Sequence, residues 1–197
     1  INNMLAKLRG EQESRIEFST AMNLVIKRKF AENMSFAAPT AREFKDDDAL
    51  INKGSRLLFF VPWRGHTIAG TAHKPYYGDA EAYTVTAKEI EEFLQEVNSA
   101  MPGANITDDE ISFAYAGLLP MSGVNKQSGD VQLQKHFKII DHAAEDKVEG
   151  LLSAVTVKFT TARGVSEVVV DRAVQKLGFG RKKSLSRDKP IWGGEVD

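Results

Sequence analysis

Apolar and polar positions alternate along several stretches of the chain, and this period of two predicts β-strands. The clearest example is a hairpin, with strands at residues 56–61 and 67–71 and a turn at residues 62–66. The same pattern predicts strands at residues 16–30, at 111–115 with an end at 117–120, and at 131–140. Residues 151–157 are apolar at all but two positions, which predicts a strand buried on both faces.

A period of three to four residues occurs twice and predicts two helices. The first begins at Thr86, whose spacing from Glu89 matches a capping box, and is expected to stop near residue 102. Its apolar positions are Ile90, Phe93, Leu94 and Val97. The second is capped by Thr160 or Thr161. Its apolar positions are Val165, Val168, Val169, Val174 and Leu177, and it stops at Gly178.

Three segments lack either period. Residues 1–9 have the pattern of a helix end. Residues 38–54 are acidic and rich in turn formers. Residues 179–197 are basic and are predicted to be a linker to a further domain. Several non-repeating strands with two helices predict a mixed α+β layer structure, although they do not determine the order of the strands. The fold is expected to end in a buried strand-turn-helix.

Composition narrows the classes of function. Of the 197 residues 42% are hydrophobic, so the chain can bury a core. Its 26 basic and 27 acidic residues give a net charge of −1, which disfavours a nucleic-acid partner. The absence of cysteine excludes disulfides and thiolate chemistry and fits a cytoplasmic protein. No apolar run approaches the roughly 18 residues of a membrane-spanning helix.

The most suggestive chemistry lies where the predicted strand at residues 151–157 meets the second helix. Lys158 stands at this junction, so its ammonium and the free N–H groups of the helix start would converge. Such a point favours an anion or an electron-rich ring. A flavin is one candidate, because reduction builds negative charge on its ring. A lysine that extends into solvent beside a capped helix is the competing interpretation.

Other motifs carry weaker signals. Trp63 and Arg64 in the hairpin turn could hold a phosphate or a carboxylate, and an ordinary surface turn explains them equally well. The segment GFG at residues 178–180 follows a helix and lacks the third glycine of a dinucleotide-binding loop. No phosphate-binding loop and no serine-hydrolase elbow occurs.

No metal site is predicted, because neither the histidines nor the run of acidic residues has the spacing of a ligand set. The residues considered are His66, His73, His136, His142, Asp46, Asp47 and Asp48. The three aspartates are expected to form a solvated loop.

Taken in order, several segments resemble the FAD-dependent glycerol-3-phosphate dehydrogenases and oxidases, which are D-amino-acid-oxidase-like flavoenzymes. RLLFFVPWRGHTIAGTAHKPYYGD, at residues 56–79, is similar to the family's strand, Pro-Trp turn, "T-I-x-G-T" strand and "Y-x-G-D". YAGLLP, at residues 115–120, resembles "Y-S/A-G-x-R/L-P". LLSAVTVKFTTAR, at residues 151–163, resembles "G-G-K-L-T-T-x-R". AMNLVIKR near the start and a closing GGE extend the resemblance over nearly the whole chain.

The resemblance implies a split FAD-binding fold, with a substrate domain that contains a largely antiparallel sheet between its parts. Residues 1–150 would then be substrate-domain material, with an N-terminal segment adjoining the FAD fold. Residues 151–178 would be the returning FAD strand and helix, and residues 179–197 the linker. The family's N-terminal dinucleotide fingerprint has no counterpart in the chain, and the chain begins at Ile1. A fragment of a larger flavoenzyme is therefore expected, inactive and without FAD on its own.

The resemblance also assigns site residues. Lys158 would be the catalytic residue, acting on charge at the flavin. The expected cofactor-binding residues are Gly117, Leu118, Lys158, Phe159, Thr160 and Thr161. The expected substrate-binding residues are Asn23, Arg64 and Lys135.

Several positions depart from the family pattern. Leu119 stands where many members carry an arginine for the substrate phosphate, and Lys135 stands in place of a second arginine. Asn23 aligns with a histidine, while Thr156 and Val157 replace paired glycines. A lysine can bind phosphate but lacks the planar fork of arginine, so these changes leave the substrate open.

The implied reaction is hydride transfer from a polyol phosphate, glycerol 3-phosphate or a relative of it, to FAD, with quinone or oxygen as the electron acceptor. The full protein is expected in the cytoplasm, with peripheral association at the inner face of the membrane left open. Two alternatives remain. One is a flavoenzyme of the same fold acting on a different hydroxy acid or an amine, and the other is a non-catalytic anion-binding or partner-binding α+β module.

Overall fold

The computed structural model describes residues 16–43, 55–180, 182–190 and 192–194, together with three isolated residues near the start, Leu5, Lys7 and Gly10. The chain divides into two compact units: unit 1 contains Ile1–Arg15 and Gln134–Asp197, and unit 2 contains Ile16–Leu133. The predicted helix end at residues 1–9 lies largely outside the described residues, and the predicted acidic loop at residues 46–48 lies wholly outside them. The division of the chain at residue 150 stays a prediction.

Unit 2 is built on a six-stranded sheet in which every neighbouring pair of strands is antiparallel. The strands are β1 (Glu17–Ile26), β2 (Phe36–Glu43), β3 (Ser55–Trp63), β4 (His66–Tyr76), β5 (Ile111–Val124) and β6 (Val131–Leu133). Their spatial order is β2-β3-β4-β1-β5-β6. The predicted hairpin is confirmed as β3 and β4. Arg64 and Gly65 both adopt positive φ in its turn, as two-residue hairpin turns require.

One face of this sheet is covered by helix α1 (Ala87–Ala100). The predicted capping box is confirmed, since the Thr86 hydroxyl accepts the Glu89 N–H at 3.2 Å and the Glu89 carboxylate accepts the Thr86 N–H at 2.8 Å. Apolar residues of α1 pack on apolar residues of the sheet. The core contains Met22, Leu24, Ile26, Leu58, Phe60, Ala69, Ala72, Phe93, Leu94, Val97, Ala100 and Ile106.

Three strand predictions in and beside unit 2 need correction. Residues 38–43, predicted as turn, belong to β2, which tolerates Pro39 because it is an edge strand. Strand β5 continues past residue 120 to Val124. Pro120 pairs with Phe18, and β6 begins to pair with β5 only at Met121, so the proline lies where β5 still has one free edge. Residues 131–140 form two short strands in different sheets, because the chain leaves the larger sheet after Leu133.

Unit 1 contains a two-stranded antiparallel sheet and two helices among its described residues. Its elements are β7 (Lys138–Asp141), α2 (His142–Asp146), β8 (Leu152–Val155), a 3₁₀ turn (Phe159–Thr161) and α3 (Ala162–Lys176). Gly178 ends α3 with φ of 74° and donates its N–H to the Gln175 carbonyl at 3.1 Å, as predicted. The mixed α+β fold and the final strand-turn-helix are confirmed. The expected full burial of β8 is wrong, because β8 has one partner strand and its Ala154 is exposed.

Candidate functional site

The face of the six-stranded sheet opposite α1, called the outer face below, gathers several of the predicted site residues. The core residues of β1 point toward α1, whereas Asn23 lies on the outer face because side chains alternate along a strand. Its register partners, Gly70 of β4 and Tyr115 of β5, lie beside it on the same face. Three aromatic residues of this face are exposed: Phe59, Phe113 and Tyr115.

The side chain of Asn23 is held by two neighbouring residues of β4. The β1–β4 register shifts between Met22 and Asn23, which leaves Thr71 as the extra residue of a bulge. The Thr71 hydroxyl donates a hydrogen bond of 2.9 Å to Asn23 Oδ1. A Cβ atom added at Gly70 would lie 1.8 Å from the same Oδ1. The Asn23 side chain therefore occupies the space that the glycine leaves empty.

The predicted cofactor residues Gly117 and Leu118 are consecutive in β5 and therefore face opposite sides of the sheet. Gly117 pairs with Ala21 on the outer face, and a Cβ atom added there would meet nothing within 4 Å. Leu118 pairs with Thr20, so its side chain lies on the face that α1 covers. The structure thus brings Asn23 and Gly117 to one surface and directs the Leu118 side chain to the other.

Arg64 lies at the end of the β3–β4 hairpin. Its guanidinium carbon is 5.2 Å from the centre of the Trp63 ring, a cation–π contact. Along β3, Trp63 is four residues from Phe59. Phe59 pairs with Gly70 of β4, and Gly70 pairs with Asn23 of β1, so these three residues lie side by side across the sheet. Four residues of extended chain span about 13 Å. The sheet therefore keeps Arg64 apart from Asn23.

Unit 1 presents the predicted cofactor-binding loop to solvent. Lys158 is exposed, and its ammonium has no partner within the described part of the chain. Phe159 is 97% exposed, which is unusual for a large aromatic side chain. The Lys158 carbonyl accepts the Thr161 N–H at 3.2 Å and the Thr161 hydroxyl at 2.9 Å. Thr160 is also exposed.

The predicted capping of α3 by a threonine is wrong. Thr161 occupies the N-cap position, but its hydroxyl donates backward to Lys158 and makes no capping bond. No side chain caps the start of α3. The 3₁₀ turn before α3 already uses the N–H groups of Thr161 and Ala162, which donate to the carbonyls of Lys158 and Phe159. Within the described residues, the N–H groups without a partner at this positive end are those of Phe159 and Thr160.

Lys135, predicted to bind substrate, lies in unit 1 with Lys158, whereas Asn23, Arg64 and Gly117 lie in unit 2. Lys135 is half-buried in the segment between β6 and β7. The predicted site is therefore divided between the two units.

A buried polar network in unit 1 was not predicted. His142 and Asp146 are each only 2% exposed, and Asp146 Oδ2 lies 2.5 Å from His142 Nδ1. His142 Nε2 lies 2.8 Å from the Ser153 hydroxyl. With Nδ1 protonated toward the carboxylate, Nε2 accepts the serine proton, so α2 and β8 are joined through the imidazole. The spacing of His142 and Asp146 by four residues was the available signal, but Ser153 could be paired with them only in three dimensions.

A second unpredicted cluster lines a cleft of about 330 Å³ between α1 and the sheet. Burial is the main cause that lowers the pKa of His73 to about 4, and the positive charge of Arg56 contributes. Arg56 itself lies 3.4 Å from Glu96 of α1. An alternating strand pattern does not show which histidine becomes buried, so the sequence carried no signal for this site.

The described residues contain neither a metal-ligand cluster nor a membrane-spanning helix. They contain no group of three or more histidine, aspartate or glutamate residues placed to hold a metal ion. No helix among them is long and apolar enough to cross a membrane.

Comparison with known proteins gives consistent matches, although no protein-family model matches the chain. It is 29% identical over 149 residues to a glycerol-3-phosphate dehydrogenase of Synechocystis sp., covering 76% of this chain and 26% of the relative. It is 31% identical over 159 residues to an alpha-glycerophosphate oxidase of Streptococcus pyogenes serotype M1, with the same coverage. The chain thus spans about a quarter of the length of these curated relatives.

A solved structure supports the fold. The X-ray structure of the glycerol-3-phosphate dehydrogenase from Bacillus halodurans complexed with FAD superposes with a TM-score of 0.61 and 22% identity. The match covers 92% of this chain and 32% of that protein. The resemblance in the sequence motifs is confirmed by these matches.

Proposed function

Because the chain is related to the FAD-dependent glycerol-3-phosphate dehydrogenases and oxidases over three quarters of its length, we propose that it is part of a flavoenzyme that oxidises a polyol phosphate. The observation that carries the proposal is the loop at the start of α3. It combines an unpaired Lys158 with the almost fully exposed Phe159. Exposure of this kind is expected where a bound group covers the loop.

The residues of this loop fit a flavin. The uncapped start of α3 offers backbone N–H groups and a positive helix end, and Lys158 adds an ammonium. FAD supplies hydride acceptance and carries the chemistry that no side chain can perform. Lys158 would stabilise negative charge as it develops, and Phe159, Thr160 and Thr161 would contact the ring edge.

The outer face would contribute to the substrate site. Asn23 would bind substrate, and Gly117 would allow close approach, since no atom lies within 4 Å of a Cβ placed there. Lys135 would supply the cation for a phosphate as a point charge. Arg64 would take part only if the substrate reached the hairpin turn. As the alcohol is oxidised to a ketone, its C–H hydrogen would pass as hydride to FAD and its hydroxyl proton to solvent, and quinone or oxygen would then take the two electrons.

The test uses the natural, longer protein. We expect glycerol 3-phosphate to support dye reduction. We expect Lys158→Ala to slow flavin reduction, measured by stopped-flow absorbance, by about tenfold or more while KM changes less, because the ammonium acts on developing charge. The matched control is Lys126→Ala, at an exposed lysine in the loop before β6. An unchanged reduction rate in Lys158→Ala would remove this residue from the mechanism.

A second candidate function is favoured by Leu119, which pairs with Ser19 where the family motif carries an arginine. Loss of that cation favours a non-catalytic anion-binding or partner-binding module that retains the fold of the family. A longer protein that folds without flavin and reduces no dye would support this alternative. Dye reduction with another hydroxy acid or an amine, but not with glycerol 3-phosphate, would instead show that the enzyme acts on a different substrate.

A further inference from the structure

We propose that Thr71 is a positioning residue that orients the Asn23 amide, so that Asn23 presents its N–H groups to an oxygen atom of the ligand. The inference rests on the proposed function, and it favours hydroxy compounds over protonated amines as ligands.

The first step is that one end of the Asn23 amide is already occupied. Thr71 Oγ1 donates to Oδ1 at 2.9 Å, and Oδ1 lies above Gly70, where a Cβ would approach it to 1.8 Å. The bulge in β4 is what places the Thr71 hydroxyl on this side. The carbonyl end of the amide is thus turned toward β4, and the NH₂ end points away from it.

The second step is that the other end of the amide is unused. Within the residues that the structure describes, Asn23 Nδ2 donates no hydrogen bond, although the side chain is half-buried. The Tyr115 hydroxyl, on the register neighbour of Asn23, also has no partner there. A partly buried donor such as the Asn23 amide gains from a ligand that satisfies it. The exposed Tyr115 lies on the same face, next to Asn23 in the strand register.

The third step is chemical. A carboxamide nitrogen donates hydrogen bonds but does not accept a proton at neutral pH. It can bind the hydroxyl oxygen of an alcohol and the carbonyl oxygen of the ketone that forms from it. An ammonium offers only N–H donors and would oppose the amide. Asn23 therefore serves as a donor for the reacting oxygen, and the hydroxyl proton must pass to another group.

The experiment compares Thr71→Val, which removes the hydroxyl donor, with Thr71→Ser, which retains it, in the natural longer protein. We expect Thr71→Val to lower kcat/KM for the hydroxy substrate by about tenfold, the cost of one misdirected hydrogen bond, while Thr71→Ser stays near the parent enzyme. Asn23→Asp should lose activity on the hydroxy substrate and improve relative activity on the matching amine. Equal kcat/KM in the valine and serine variants would overturn the proposal.

A second measurement does not depend on turnover. Neutron diffraction from deuterated crystals of the 197-residue chain would locate the deuterons of Asn23 and Thr71. We expect the Thr71 deuteron to point at Asn23 Oδ1 and the amide deuterons to point away from Thr71. Amide deuterons directed at Thr71 would refute the positioning role. The expected deuteron positions in a protein without any dehydrogenase activity would leave the positioning role intact and refute the proposed function.

Discussion

The folded structure strongly changes the ionisation of His73. Its pKa in the folded protein is about 4, lowered mainly by burial, while an unfolded chain titrates histidine near its ordinary value of 6.5. Between these two values the unfolded state binds more protons, so the stability associated with neutral His73 is lost as pH falls from 6.5 to 4. The contribution is at most ~3 kcal/mol.

The measurement is urea unfolding between pH 4 and pH 7. We expect His73→Gln to flatten the dependence of the free energy of unfolding on pH relative to the parent protein. If the free energy of unfolding varied with pH equally in the parent and in His73→Gln, the buried environment assigned to His73 would be wrong.

The sequence predicted the place of a single residue where that place depends only on its neighbours along the chain. Lys158 could be placed at a helix start because it follows an apolar run and precedes a helical pattern. Thr71 and Gly70 could not be singled out, because their contact with Asn23 depends on a bulge in the β1–β4 pairing. The burial of His73 depends likewise on contacts between segments that are distant in the sequence, since its Nδ1 lies 3.3 Å from the Thr20 carbonyl oxygen.

In unit 1 the short strands β7 and β8 pair with each other, and the His142 network links the intervening helix α2 to β8. We expect Ser153→Ala to lower the free energy of unfolding by about 1–3 kcal/mol, because the buried His142 Nε2 loses its donor. Hydrogen exchange of the β8 amides should accelerate correspondingly. Ser166→Ala, at an exposed helical serine, is the control and should change neither quantity.

Elements with a strong local period were predicted well, and elements fixed by distant contacts were not. Helix α1 was predicted from its capping box and apolar stripe, and the β3–β4 hairpin from alternation around a turn. Strand β2 was missed because its proline and acidic residues favour a turn, whereas the edge of a sheet tolerates them. The break between β6 and β7 follows from the chain leaving one sheet for another, which local sequence does not encode.

For the whole molecule, cofactor binding should require more than these 197 residues. The chain has no G-x-G-x-x-G segment to hold a pyrophosphate. We expect titration calorimetry of the chain with FAD to show no binding at micromolar concentrations, whereas the natural longer protein should carry flavin absorbance. A micromolar Kd for the chain alone would contradict this expectation.

The mixed α+β class could be predicted because several strand signals occur with only two helix signals, and the antiparallel sheet was expected from the resemblance of the ordered motifs. The local sequence pattern did not give the boundaries of the two units, and a split arrangement was expected only from the resemblance. Residues 16–133 and the segments on either side have similar local patterns, and only the contacts each segment makes assign it to a unit.

The larger sheet also bears on how such a protein can be rearranged. Unit 2 enters on β1 and leaves on β6, and only β5 lies between these strands. Its ends are therefore about 10 Å apart, two strand spacings, at Glu17 and Leu133. A segment whose ends nearly meet behaves as a cassette: it can be inserted into a host loop, exchanged between relatives or circularly permuted with a short linker. Exchange of this sheet between related proteins would leave the strand-turn-helix around Lys158 in place.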